Sequence, residues 1–137
     1  MQVQPYLNFD GRCEEALEFY RRALGAEVTM MMRFKDSPEK GGIPPGAENK
    51  IMHSSFRIGD STLNASDSHC KGNTNFQGIS LSLMPPNEAA ANRAFAALAD
   101  GGQVQMPLSK TFFSPSFGMV VDRFGVSWMI YVPGTPA

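Results

Sequence analysis

His53 is the side chain of this sequence whose proton chemistry is most easily used near neutral pH. It lies in the alternating segment 51–58. A histidine in a strand is either a hydrogen-bonded structural residue or a ligand or general base, and the second role needs a titratable neighbour. Asp67 is the candidate for that neighbour, although an aspartate at the end of a strand also suits a turn.

A hairpin is predicted to position His53. Gly59-Asp60 separates segment 51–58 from segment 61–66, and two-residue loops of this kind join antiparallel strands, here with Ser55 opposite Asn64. The pleat then sorts the side chains onto two faces. The apolar face carries Phe56, Ile58 and Leu63, and the polar face carries His53, Ser55, Arg57, Thr62, Asn64 and Ser66. The polar face either meets solvent or lines the inside of a cup.

Methionine is abundant, with nine residues in the chain. Such flexible side chains are most simply interpreted as core filler. In a second interpretation, Met119 and Met129 line an adaptable apolar pocket whose rim is formed by Phe112, Phe113 and Phe117. Trp128 alternates with Met129 and is predicted to lie in the core.

Cys13 and Cys70 are the two cysteines, and they form no CxxC pair. In a chain without secretory signals, both are interpreted as free thiols. Cys13 lies where a helix is predicted to begin, and a helix N-terminus can lower the pKa of a thiol. The neighbouring pair His69-Cys70 lies in a polar linker and is expected to be exposed.

Composition excludes several classes of partner. The chain has 137 residues and a net charge of −1, with no basic stripe for a phosphate backbone, so nucleic acid is not an expected partner. No run of eighteen apolar residues and no leader-like N-terminus occur, which indicates neither membrane nor export and a cytoplasmic location. The length predicts a single domain over residues 1–137.

The elements are predicted to occur twice. A strand from Val3 to Phe9 precedes a helix with apolar residues at spacings of three and four, and Gly25 is placed to end that helix. A shift of 76 residues lays the pattern on the second half of the chain, with Met30 falling on Met106. The half repeats are about 1–67 and 76–133, each a strand, a helix and three strands. The glycine- and proline-rich segment 35–49 is a plausible lid.

Several segments resemble the vicinal oxygen chelate superfamily, which includes glyoxalase I, extradiol dioxygenases and the bleomycin and fosfomycin resistance proteins. They are Pro5–Gly11, Glu15–Tyr20, Leu24–Glu27 and Asp122–Trp128, and together with Ile51–Phe56 and Ile58–Asp60 they are similar to its PhnB-like branch. The resemblance implies an α+β fold in which two βαβββ repeats form curved, cup-like mixed sheets with helices on the outer face. It also implies a homodimer.

Metal-dependent relatives hold a divalent ion with His, Glu or Gln side chains from both halves. Carried onto this chain, the first-strand positions fall on Gln4 or Pro5 and on Gln77 or Gly78, and the later positions fall on Asn64 and Met129. None of these is a carboxylate. The metal positions Gln4, Asn64, Gln77 and Met129 are therefore interpreted as vestigial, and no metal is expected.

The resemblance therefore favours a PhnB-like protein that binds a small organic ligand in a sheet cup, and it leaves open whether the protein is an enzyme. The expected ligand-binding residues are Gln4, Tyr6, His53, Asn64, Met119 and Met129. No cofactor is expected, since no glycine-rich turn follows a strand to hold a methyl-donor nucleotide. One alternative is a divalent-metal-dependent lyase, isomerase or dioxygenase that uses His53, Asn64, Asp67 or Gln4. Another is a resistance protein that sequesters a drug.

Overall fold

A computed structural model describes residues 1–38, 41, 43, 45–67 and 74–134. The chain divides into two compact units, Met1–Thr74 and Asn75–Ala137. Within the described ranges, no helix combines the length and the apolar character needed to cross a membrane. His69, Cys70 and part of the segment 35–49 considered as a lid lie outside the described residues.

The first unit is a mixed four-stranded sheet with one helix. Its elements are β1 (Tyr6–Asn8), α1 (Cys13–Leu24), β2 (Glu27–Arg33), a short 3-10 helix (Phe34–Asp36), β3 (Ile51–Ile58) and β4 (Ser61–Ser66). The spatial order is β1-β4-β3-β2, with β1 parallel to β4 and the other pairs antiparallel. The predicted hairpin is confirmed, including Ser55 opposite Asn64.

The second unit repeats the plan of the first. Its elements are β5 (Leu81–Leu83), α2 (Glu88–Ala99), β6 (Gln103–Ser109), β7 (Ser116–Val121) and β8 (Ser127–Val132). The spatial order is β5-β8-β7-β6, and β5 is parallel to β8. Both sheets therefore share one topology, which confirms the predicted α+β fold of two βαβββ repeats.

The predicted end of α1 at Gly25 is confirmed, and a side-chain cap defines the start of α2. Gly25 takes the left-handed conformation, with φ of 68°, that ends α1. The Asn87 side chain accepts a hydrogen bond from the Ala90 N–H and caps α2. Along α1 the buried residues recur at helical spacing, and the Tyr20 ring stacks on Phe56 of β3 with centroids 6.0 Å apart. The helix thus covers the apolar face of its own sheet.

The core of the second unit is built from β7, β8 and α2. Val120 and Ile130 are fully buried and Trp128 is 2% exposed, so the prediction that Trp128 lies in the core is confirmed. The Trp128 indole N–H donates to the buried carboxylate of Asp122 at 2.9 Å. Gly118 permits close packing, since a Cβ atom there would stand 2.9 Å from the Phe95 ring.

The first strand of the chain is shorter than predicted. β1 begins at Tyr6 rather than Val3, which is 95% exposed, and it ends at Asn8 rather than Phe9. The bond from the Asn64 N–H to the Pro5 carbonyl lies just before β1. Alternation of residue types continues past the point where strand pairing stops, which is why the pattern overestimated the length of β1.

The interpretation of the methionines as core filler is wrong. None of the nine is buried, and Met30, Met31 and Met106 are 40, 42 and 42% exposed. These three lie on β2 and β6, each of which forms one edge of its four-stranded sheet. An edge strand has a neighbour on one side only, so its side chains stay accessible.

Asp67 joins three parts of the first unit. Its Oδ1 accepts hydrogen bonds from the N–H groups of Gly11 and Cys13 at 2.7 and 2.8 Å, and its Oδ2 accepts one from Ile51 at 2.8 Å. The side chain is 1% exposed. The carboxylate therefore accepts the backbone N–H groups of the turn after β1, of the first residue of α1 and of the start of β3.

Replacing Asp67 with asparagine is expected to lower the free energy of unfolding by about 2–3 kcal/mol, because an NH₂ group would then face a buried N–H donor. Chemical denaturation measures this change. The matched control is Asp60→Asn in the exposed hairpin turn, which should alter stability by less than about 0.5 kcal/mol. Equal effects of the two substitutions would contradict the structural role of Asp67.

Candidate functional site

Each sheet has one face covered by its helix and one open face. In the first unit, a row of paired residues crosses the open face from Tyr6 through Asn64 and Ser55 to Met30. In the second unit, the corresponding row consists of Ser82, Met129, Met119 and Met106. Asn64 and Met129 therefore occupy matching positions of the two sheets.

The open face of the first sheet carries a chain of neutral hydrogen bonds. The Ser55 hydroxyl donates to Asn64 Oδ1 at 2.7 Å, and Asn64 Nδ2 donates to Gln4 Oε1 at 3.0 Å. Gln4 precedes β1, so these hydrogen bonds extend from the middle of the sheet to the segment just before β1. The bonds fix the orientation of the Asn64 amide and present uncharged polar groups to solvent.

His53 lies against Tyr6 on the same face. The Tyr6 hydroxyl and His53 Nδ1 are 3.2 Å apart, and the two rings are stacked with centroids 5.8 Å apart and planes at 25°. Tyr6 is 54% exposed. β1 thus supplies a hydrogen-bonding neighbour for His53 in place of the Asp67 carboxylate that the sequence suggested. Only the parallel pairing of β1 with β4 reveals this, since forty-seven residues separate the two side chains.

Asp67 supports the fold rather than this polar cluster. Both of its carboxylate oxygens accept backbone N–H groups, as described above. The sequence placed Asp67 beside the hairpin but gave no sign of the three donors that surround it.

The residues at the expected metal positions are poor ligands for a divalent ion. Gln4 and Asn64 are in contact, but both are neutral amides already bonded to one another. Gln77 is exposed in a turn before β5, and Met129 offers only a thioether. Within the described ranges, no group of three His, Cys, Asp or Glu side chains is arranged to hold a metal ion. These positions supply neither a carboxylate nor an imidazole, the donors most typical of catalytic divalent-metal sites.

The second unit has a cleft at one end of its open face. The cleft measures about 520 Å³ and is lined by Lys110, Thr111, Phe112, Phe113, Ser114, Pro115, Tyr131 and Gly134. Two of the three phenylalanines predicted as a pocket rim, Phe112 and Phe113, line it. Phe117 meets Phe113 edge to face, with ring centroids 5.2 Å apart. Met119 and Met129 lie on the open face but not in the lining of the cleft.

Cys13 is a free thiol inside the first unit. Its burial raises the pKa of the thiol to about 12, against the lowering effect of a hydrogen bond with Ser54. The nearby Asp67 carboxylate raises the pKa further. The expectation that the helix start lowers this pKa is therefore wrong, because desolvation outweighs the helix dipole at a fully buried site.

Residues 1–131 match the family described as 3-demethylubiquinone-9 3-methyltransferase. The chain is 34% identical to protein YjdN of Escherichia coli, over 96% of this chain and 95% of that protein. The structure of protein PA1353 from Pseudomonas aeruginosa is 45% identical, with a TM-score of 0.82 over 97% of this chain and 98% of that one. A PhnB protein from Bacillus cereus is 29% identical, with a TM-score of 0.80 over 96% and 99% of the two chains.

The buried thiol makes a direct test of the first unit's packing. In a Cys70→Ser variant, where Cys13 is the one remaining cysteine, iodoacetamide at pH 8 should alkylate the native protein roughly a thousandfold more slowly than the denatured protein, because little thiolate forms. Mass spectrometry follows the reaction. Comparable rates in the two states would contradict the burial of Cys13.

Proposed function

Because this chain belongs to the 3-demethylubiquinone-9 3-methyltransferase family, in the PhnB-like branch of the vicinal oxygen chelate superfamily, we propose that it binds a small organic ligand on an open sheet face, without a catalytic metal. The ligand surface is the open face of the first sheet. Its residues are Gln4, Tyr6, His53 and Asn64. Met119 and Met129 form the apolar counterpart in the second unit.

The observation that carries this proposal is the oriented polar cluster on an otherwise open sheet. Asn64 is held by partners on both sides, and Tyr6 and His53 present stacked rings with polar atoms. Small-molecule sites combine a few fixed polar groups with aromatic surface. The cluster contains no carboxylate or guanidinium, so it suits a ligand recognised through neutral hydrogen bonds and ring contact.

The donor chemistry supports binding without a metal. Two amides that are bonded to each other and a thioether would each be weak partners of a divalent cation. Binding is therefore assigned to hydrogen bonding and stacking rather than to chelation.

Methyl transfer is not part of the proposed function. The turn after β1 is Phe9-Asp10-Gly11-Arg12 and the segment after β5 contains Pro85-Pro86, so neither is the glycine-rich turn that holds a nucleotide pyrophosphate. The sheets are mixed, each with a single parallel pair, rather than doubly wound. These features favour ligand binding over methyl transfer from a nucleotide donor.

The proposal includes a homodimer located in the cytoplasm. The dimer is supported by the apolar surface on the edge strands β2 and β6, where Val28 and Val104 are 37 and 45% exposed beside the exposed methionines. Sedimentation equilibrium should give twice the chain mass of 14.9 kDa. A species of single-chain mass at high micromolar concentration would contradict the dimer.

Metal analysis tests the metal-free part of the proposal. Protein purified without chelators or affinity metals should contain far less than one divalent ion per chain, and EDTA should leave its melting temperature unchanged. One tightly held ion per chain, with a lower melting temperature after EDTA, would instead favour a metal-dependent lyase, isomerase or dioxygenase.

A thermal-shift screen tests the binding surface. A panel of small organic compounds that includes fosfomycin and bleomycin should contain at least one that raises the melting temperature, since a ligand selective for the folded state stabilises it by mass action. With Tyr6→Phe or His53→Gln, the same rise in melting temperature should require about tenfold more ligand. Stabilisation by a bleomycin-like compound at stoichiometric concentration would favour drug sequestration.

The control for loss of a hydroxyl group is Ser80→Ala, which removes an exposed hydroxyl group from the second unit, outside the lining of its cleft. It should leave the shift unchanged. If Tyr6→Phe and Ser80→Ala behave alike, the first sheet is not the ligand surface.

A further inference from the structure

The cleft of the second unit has features of a separate ligand site. It is formed by the loop that joins β6 to β7 and by the end of β8. None of its lining residues belongs to the polar cluster of the first sheet. Its volume of about 520 Å³ is in the range of small-molecule sites. We propose that this cleft binds a planar aromatic anion such as an aromatic carboxylate.

Aromatic rings supply the apolar wall of the cleft. Phe113 lies at the centre, stacked with Tyr131 at 22° and meeting Phe112 edge to face at 84°. Phe112 is 100% exposed and Phe113 is 41% exposed. An exposed phenylalanine leaves a large apolar area in water, and a planar ring laid against it would remove that area.

The segment that carries the two phenylalanines is held in place. The Thr111 N–H donates to the Ser114 carbonyl at 2.9 Å, and the buried Ser114 hydroxyl is bonded to the carbonyls of Ser116 and Val132 at 2.8 and 2.6 Å. Gly134 closes the other side, where a Cβ atom would stand 3.0 Å from the Phe113 carbonyl. The aromatic wall is therefore preorganised, which lowers the entropic cost of binding.

Charge selects an anion. Lys110 lines the cleft, and its lining contains no aspartate or glutamate. Among the described residues, no carboxylate forms an ion pair with Lys110. The Tyr131 phenol adds a hydroxyl donor to the same wall. A carboxylate attached to an aromatic ring would meet both the ammonium group and the ring stack, whereas an aromatic cation would be repelled.

Isothermal titration calorimetry with 1-naphthoate tests the proposal. Naphthalene-1-methanol serves as a neutral ring and cyclohexanecarboxylate as an anion without an aromatic ring. Naphthoate should bind at least about tenfold more tightly than either, and its affinity should fall as salt is added. Equal affinity for naphthoate and the alcohol would overturn the role of charge. Tighter binding of 1-naphthylmethylammonium would overturn the choice of an anion.

Variants locate the site. Lys110→Gln should reduce naphthoate affinity about tenfold and leave the neutral alcohol unaffected, while Phe112→Ser should weaken both ring compounds. Arg93→Gln is the matched control, since it removes an exposed cation from α2 of the same unit. Phe112 is fully exposed, so circular dichroism should show its variant folded. Unchanged affinity in folded Lys110→Gln and Phe112→Ser proteins would overturn the site.

A second copy of the chain is the competing occupant of the cleft. If Phe112→Ser converts a dimer to a monomer and naphthoate does not bind either form, the aromatic wall is a subunit contact and the proposal fails. His53→Gln should leave naphthoate binding intact. That variant separates this site from the surface proposed on the first sheet, so failure of one leaves the other standing.

Discussion

The first unit depends on one buried carboxylate that forms no ion pair within the part of the chain that the structure describes. Asp67 follows the last strand of its sheet, yet its oxygens bind N–H groups from the turn after β1, from the start of α1 and from the start of β3. Backbone donors at these points would otherwise be buried without acceptors. Asp122 has a related role in the second unit, where it binds the Phe124 and Val126 N–H groups and the Trp128 indole. Each repeat thus places an aspartate where its strands and turns meet.

The two repeats share a backbone plan but have different open faces. Matching rows of residues run across both sheets, and the middle positions are serine and asparagine in the first and two methionines in the second. The pairing requires only alternation and turn geometry, so it tolerates either set. The side chains of the open face do not pack in the hydrophobic core, so they can vary without changing the fold. For this reason the fold gives little information about chemistry.

The sequence predicted the topology well because the features that determine it are local. Gly59-Asp60 and Gly25 act through backbone conformation, and the structure places both as predicted. The contact of Tyr6 with His53 could not be predicted, because it arises from a parallel pairing between distant segments. The methionine interpretation failed for a related reason: residue type gives hydrophobicity, whereas exposure depends on whether a strand lies at the edge of its sheet. The burial of Cys13 likewise arises only once the helix packs.

The edge strands β2 and β6 differ in how well they resist the addition of a foreign strand. β6 contains Pro107, which lacks an N–H, and its pairing with β7 is interrupted twice. β2 has the same number of interruptions but no proline, and it exposes Val28, Met30 and Met31. Irregular pairing and proline are the usual protections of a sheet edge against aggregation. When this protein is concentrated or stored, β2 is therefore more open than β6 to the addition of a strand from another molecule, and oxidation of its thioethers would make that edge more polar.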